Sequence, residues 1–173
     1  TDKKGTFYVQ NVYQGTHMKG VESGTAKYLR IVESPEKRTW TQSGWGGQGE
    51  QAPAVNWHSF ENKRILGEVP IEADGSANFE VPSGTFVYFQ LLDKDKKMIQ
   101  SMRSGTMVMS GEVNGCIGCH EDRLSIPSNM GPTPLALKKA PVKLNGWMGK
   151  APKNFSFMEQ VQPILDKSCV RCH

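Results

Sequence analysis

All four cysteines of the chain fall in two pentapeptides, Cys116-Ile-Gly-Cys119-His120 and Cys169-Val-Arg-Cys172-His173. Two thiols three positions apart can each form a thioether to a haem vinyl group, and the side chain that follows then lies under the iron. Both pentapeptides therefore read as attachment sites for haem c, two in all, with His120 and His173 as proximal ligands. Other chemistries of paired thiols fit less well. A four-cysteine zinc site uses cysteine pairs about 15–20 residues apart and needs no histidine after each second cysteine. A redox-active pair needs a thioredoxin-like βαβ setting, of which the sequence has no sign, and a structural disulfide rarely joins cysteines this near each other.

The chain has four histidines. With His120 and His173 proximal, His17 and His58 remain for the two other axial positions, and the inventory closes if each iron carries two imidazoles. Which distal histidine serves which iron stays open. Methionine is the rival ligand: there are eight, including Met18, Met107, Met109, Met130 and Met148 in or near loops, and most read as adaptable core filler. The choice matters, because Met/His ligation raises the haem potential and an open sixth position would let the iron bind a small molecule. Two imidazoles per iron point to electron transfer rather than catalysis. The rival from another class is a piece of an enzyme in which one haem keeps an open site for a small nitrogen or oxygen compound.

Composition narrows the remaining classes. The 173 residues include 37% hydrophobic ones, enough for a core without disulfide staples. No apolar run approaches the roughly 18 residues of a membrane span. The formal charge is +4, but Lys and Arg are scattered along the sequence rather than blocked, which argues against nucleic acid. The propionates of two haems would add about four negative charges and offset that excess. Because haem c is attached outside the cytoplasm, the expected compartment is periplasmic or extracellular, with redox proteins as partners.

The elements that must position these groups are mostly strands. Phe7 to Tyr13 and Ala26 to Ser34 are rich in β-branched and aromatic residues, with Gly and Ser between them, so His17 falls in a connecting loop. Residues 39–56 show no period and read as an irregular segment whose Trp40 and Trp45, with the nearby Trp57, either cover a haem face or fill the core; His58 follows. Ile65 to Ile71, Ala77 to Val81, Phe86 to Leu92 and Met98 to Arg103 form four further runs separated by turn signals. Ala77, Phe79 and Val81 alternate with Asn78 and Glu80, the mark of a half-buried strand. The fold expected is mainly β, an antiparallel β-sandwich-like domain with haem-bearing loops and a short C-terminal helix. Gly105 to Gly115 reads as the lead into a first motif on a loop or turn at the sandwich edge.

The division expected is a β-rich haem domain over 1–127, an extended linker over 128–153 strapped across the surface, and a helical segment over 154–173 carrying the second motif. Ser156 and Glu159 form a capping-box pattern, and Phe157, Val161, Ile164 and Leu165 share a helical face. Pro163 either kinks this helix or starts a new one. With His173 the last residue, either the chain is a fragment of a longer cytochrome, or a neighbouring copy covers the second haem. The latter predicts a head-to-tail polymer with a haem at each junction.

The runs NVYQG, GTAKYLRIVES, NWHSFENKRILGEVPIEADGSANFEVPSGTFVYFQLLD and IQSMRSGTMVMSGEVNGCIGCHEDR together resemble the haem-bearing middle domain of the hydrazine synthase alpha subunit family. The tail FSFMEQVQPILDKSCVRCH resembles the start of the planctomycete-type cytochrome c segment that follows it. The resemblance covers nearly the whole chain and is most specific over Leu66 to Arg123. It implies an exported multihaem protein with a β-rich domain and a haem on Cys116, Cys119 and His120. In that enzyme a tyrosine four residues beyond the motif histidine holds the iron while the histidine turns to zinc. Leu124 stands at that position here, so this ligation does not carry over, and hydrazine synthesis is not implied. The family pattern also runs shorter around His17 and lacks a histidine there, so a distal ligand at His17 would be particular to this chain.

Overall fold

The computed structural model describes residues 3–35, 63–120, 124, 131–170 and 172. Among the described residues, seven strands are laid down in chain order: β1 (Lys4–Val9), β2 (Tyr28–Glu33), β3 (Arg64–Pro70), β4 (Ala77–Pro82), β5 (Val87–Leu92), β6 (Met98–Ser101) and β7 (Val113–Cys116), followed by one α-helix, α1 (Gln162–Ser168). They form a three-stranded sheet in the order β4-β1-β7 and a four-stranded sheet in the order β3-β2-β5-β6. The mainly β architecture with two sheets and a short C-terminal helix is the one the sequence predicts.

Period-2 burial explains the layering. Gly5, Phe7 and Val9 alternate with outward residues on β1, while Val87, Phe89 and Leu91 do so on β5. The inward sets meet in a common core. Phe7, Phe79 and Phe89 form its aromatic centre, with ring centroids 5.4–6.1 Å apart and two of the three pairs edge-to-face. Burying each such ring is worth about 1.5–3 kcal/mol, so these three side chains are major contributors to holding the sheets together.

One pairing departs from the antiparallel rule. β7, in the segment expected to lead into the motif, runs parallel to β1, with Val9 opposite Cys116. The first motif thus begins on an edge strand and turns off it through residues 117–120. On β4 the expected alternation is blurred because Asn78 is buried too, for a reason that lies in the following segment. Residues 135–146 run along the open edge of β4: the Ala136 carbonyl accepts from Asn78 Nδ2 at 3.4 Å, and the Val142 N–H donates to Asn78 O at 2.9 Å. The same segment then crosses to the open edge of β3, where the Gly146 N–H donates to Leu66 O at 2.8 Å and the Phe155 N–H to Lys63 O at 2.8 Å. One strap satisfies two sheet edges that would otherwise be templates for aggregation.

Candidate functional site

The first cysteine motif is assembled from two segments about a hundred residues apart in the chain. Where β1 and β7 stop together, the backbone pairing continues: the Gln10 N–H donates to Cys116 O at 2.9 Å and the Asn11 N–H to Ile117 O at 3.1 Å. The chain then wraps back over the motif at very close range. A Cβ on Gly118 would lie 2.2 Å from Gln14 O, and one on Gly15, whose φ is +130°, would lie 1.9 Å from Cys119 O. Only glycine permits both approaches. The Thr16 N–H next donates to His120 O at 3.3 Å, and a 3-10 turn over Thr16–Met18 follows.

Met18, buried in the core, anchors that turn, and Gln100 Nε2 donates to His17 O at 3.4 Å. From the far side, the Tyr13 hydroxyl accepts the N–H groups of Gly24 and Ala26 at 2.7 and 3.0 Å, closing the loop that holds His17. The outcome is a juxtaposition: the His17 and His120 rings stand 4.3 Å apart between centroids, tilted by 47°. Both imidazoles are exposed, whereas Cys116 and Cys119 are partly buried and pack against the core. Burial, with the neighbouring Cys116 thiol adding to it, pushes the Cys119 thiol up to about 12, so it is protonated at neutral pH.

These residues suit a covalently held haem. The two thiols face an apolar surface, are in no disulfide, and stand beside two imidazoles. For both imidazoles to serve one iron held between them, the 4.3 Å contact of the rings would have to open. Both rings are exposed and free of core packing, which puts that opening within reach of side-chain rotation. Among the described residues no three or more His, Cys, Asp or Glu side chains gather as a compact metal cage.

The second motif is held differently. Pro163 lacks an N–H, so the helical ladder cannot run through it. The chain instead makes a wide i→i+5 turn over Phe157–Val161 and starts α1 with the proline in its first turn. The capping box shifts accordingly. Ser156 Oγ accepts the Glu159 N–H at 3.4 Å as expected, but the return bond to the Ser156 N–H comes from Gln160 Oε1 at 2.6 Å, while Glu159 pairs with Lys153 at 2.5 Å. No residue of the turn or of α1 is buried, and Cys169 and Cys172 are exposed. Of the expected apolar face, Phe157 and Ile164 are 52% and 62% exposed.

Other expectations sort as follows. His58, His173, Met130 and the tryptophans Trp40, Trp45 and Trp57 lie outside the described residues. Core filler describes Met18 but not Met107, Met109 or Met148, which are 45%, 59% and 81% exposed. Leu124, at the position of the family tyrosine, is 96% exposed. The residues the sequence reading missed are Gly15, Gly118 and Tyr13. The Gly-Cys pair inside the motif and the Gly-Thr-His run were signals of close approach, but nothing in the sequence joined them.

Comparisons with known proteins bear on the fold rather than on the histidine pair. The family described as the hydrazine synthase alpha subunit middle domain matches residues 24–121. A solved Kuenenia stuttgartiensis hydrazine synthase chain shares the fold with a TM-score of 0.72 at 18% identity, over 99% of this chain and 29% of that one. This chain therefore spans under a third of that relative's length. No curated protein sequence matches.

Proposed function

This chain belongs to the hydrazine synthase alpha subunit middle-domain family, and from that premise we propose that it is a dihaem c-type cytochrome that passes electrons between redox partner proteins. The observation that carries the reading is the meeting of His17 and His120 at 4.3 Å beside the Cys116/Cys119 pair. A bound haem supplies one-electron chemistry; the polypeptide sets its attachment, axial field and exposure. Cys116 and Cys119 carry the first haem, with His120 and His17 as its axial ligands. Cys169 and Cys172 carry the second, with His173 proximal and His58 the distal imidazole that remains. Two imidazoles occupy both axial positions and hold the potential below that of a Met/His pair.

Attachment chemistry of this kind, which proceeds outside the cytoplasm, supports a periplasmic or extracellular location. The exposed setting of the second motif supports a further part of the reading, a head-to-tail polymer in which a neighbouring copy covers that haem; a solution mass close to monomer at high concentration would remove it. The fold match to hydrazine synthase favours a second reading, in which the chain is a piece of a multihaem oxidoreductase with one open iron. The two separate on spectra. Electron transfer predicts that both irons are six-coordinate and low-spin, and that His17→Ala turns one of them high-spin and reactive to carbon monoxide. A wild-type protein that already binds carbon monoxide rapidly supports the oxidoreductase, and a His17→Ala spectrum identical to wild type removes His17 as a ligand.

A further inference from the structure

One continuous stretch of the chain holds its excess of positive charge. Residues 124–158 contain five lysines, Lys138, Lys139, Lys143, Lys150 and Lys153, and no acidic residue. The whole chain has 21 Lys and Arg against 17 Asp and Glu, so everything outside this stretch carries 16 cations against 17 anions. The formal positive charge of the protein thus resides in the strap that covers the edges of β4 and β3.

All five lysines are exposed. Two have partners, Lys139 with Glu72 at 2.7 Å and Lys153 with Glu159 at 2.5 Å, but such surface pairs are weak and exchange readily. Apolar residues stand among them: Leu137 is 38% exposed, Met148 81% and Phe155 41%. Near its far end the strap borders a shallow cleft of about 40 Å³ that includes Trp147, Phe155 and Ile65 in its lining.

The strap also touches the surroundings of both cysteine motifs. At its start the Leu135 N–H donates to Asp74 Oδ2 at 2.7 Å, and the adjacent Gly75 carbonyl accepts from Val12 N–H at 2.9 Å, in the loop that wraps the first motif. Its end, through Lys153 and Glu159, joins the turn that opens into α1 and the second motif.

We propose that this strap is the docking surface for an acidic redox protein, with Lys138, Lys143 and Lys150 steering the partner and the exposed apolar side chains seating it. Charge complementarity of this kind raises the association rate and weakens with salt, while a small apolar centre holds the encounter complex. That the partner is a redox protein rests on the electron-transfer reading; that it is acidic rests only on the charge of the strap.

The test uses the whole purified chain labelled with ¹⁵N and poly-L-glutamate as a probe. Amide shifts should cluster within residues 135–157, diminish with added salt, and weaken in affinity by about tenfold in the triple variant Lys138→Glu/Lys143→Glu/Lys150→Glu. The same variant should slow oxidation of the reduced protein by ferricyanide and speed oxidation by a cationic cobalt complex. Shifts centred on the Lys94–Lys97 turn, absence of binding at low salt, or tighter binding to duplex DNA or phosphatidylserine vesicles than to poly-glutamate would each overturn the proposal. A colourless protein that still binds poly-glutamate on the strap would sink the haem reading and keep the acidic-partner surface. A coloured one that fails to bind would do the reverse.

Discussion

The two cysteine pentapeptides share a pattern and little else. The first is built by tertiary structure: β7 delivers Cys116, β1 pairs alongside it, and a returning loop crosses Gly118 and Cys119 at backbone contact distance. The second is delivered by a short helix with no buried residue, and its thiols stand in solvent. The first site therefore shares the fate of the core. The second depends on local helix chemistry and on whatever covers it.

The largest expected contrast comes from the close approach at the first site. Gly15→Val puts a side chain where Cys119 O already lies, at a φ of +130°, and should destabilise the sandwich by about 2–4 kcal/mol, read as a lowered thermal midpoint. Val170→Ala, inside the second motif and 59% exposed, should change stability by under about 0.5 kcal/mol and leave the same midpoint almost unmoved. Equal effects would mean that the two motifs are equally embedded.

Next in size is thiol reactivity in chain produced without haem. Alkylation at neutral pH should reach Cys169 and Cys172 roughly a hundredfold or more faster than Cys119, which is partly buried against the core and protonated. Because the folded state lifts the Cys119 thiol from 9.0 to about 12, it holds a proton that the unfolded chain loses above about 9. Its contribution to haem-free stability is therefore complete below pH 9 and drains away as pH rises toward 12. A denaturation midpoint that stays constant across that window would contradict the burial of this thiol.

The smallest effect sharpens the second half of the comparison. Ser156→Ala removes the cap that accepts the Glu159 N–H and should cost the C-terminal helix about 1 kcal/mol of local stability. Hydrogen exchange should register this over residues 157–168 and leave β1 and β7 unchanged.

Much of this was legible in the sequence because it is local. Alternation at Ala77, Phe79 and Val81 located β4, and the thiol spacing marked the cysteines for which attachment is proposed. Longer-range features were not. β7 contains Asn114 and Gly115 and has no period of its own; it becomes a strand because Thr6 to Val9 offer a partner. Asn78 is polar by composition and buried only because the strap lies over it. His17 could be placed in a loop, but its ring is brought to His120 by contacts between Gly15 and Cys119 that lie about a hundred residues apart in the chain. At the second motif, Pro163 moved the capping partner from Glu159 to Gln160 by widening one turn.

The most direct test is to count haems on each motif. Intact mass together with tandem mass spectrometry of the native protein should find one haem bound through both thiols of Cys116/Cys119 and one through both of Cys169/Cys172. A polypeptide whose mass equals its amino acids alone, with all four thiols free, would contradict the account.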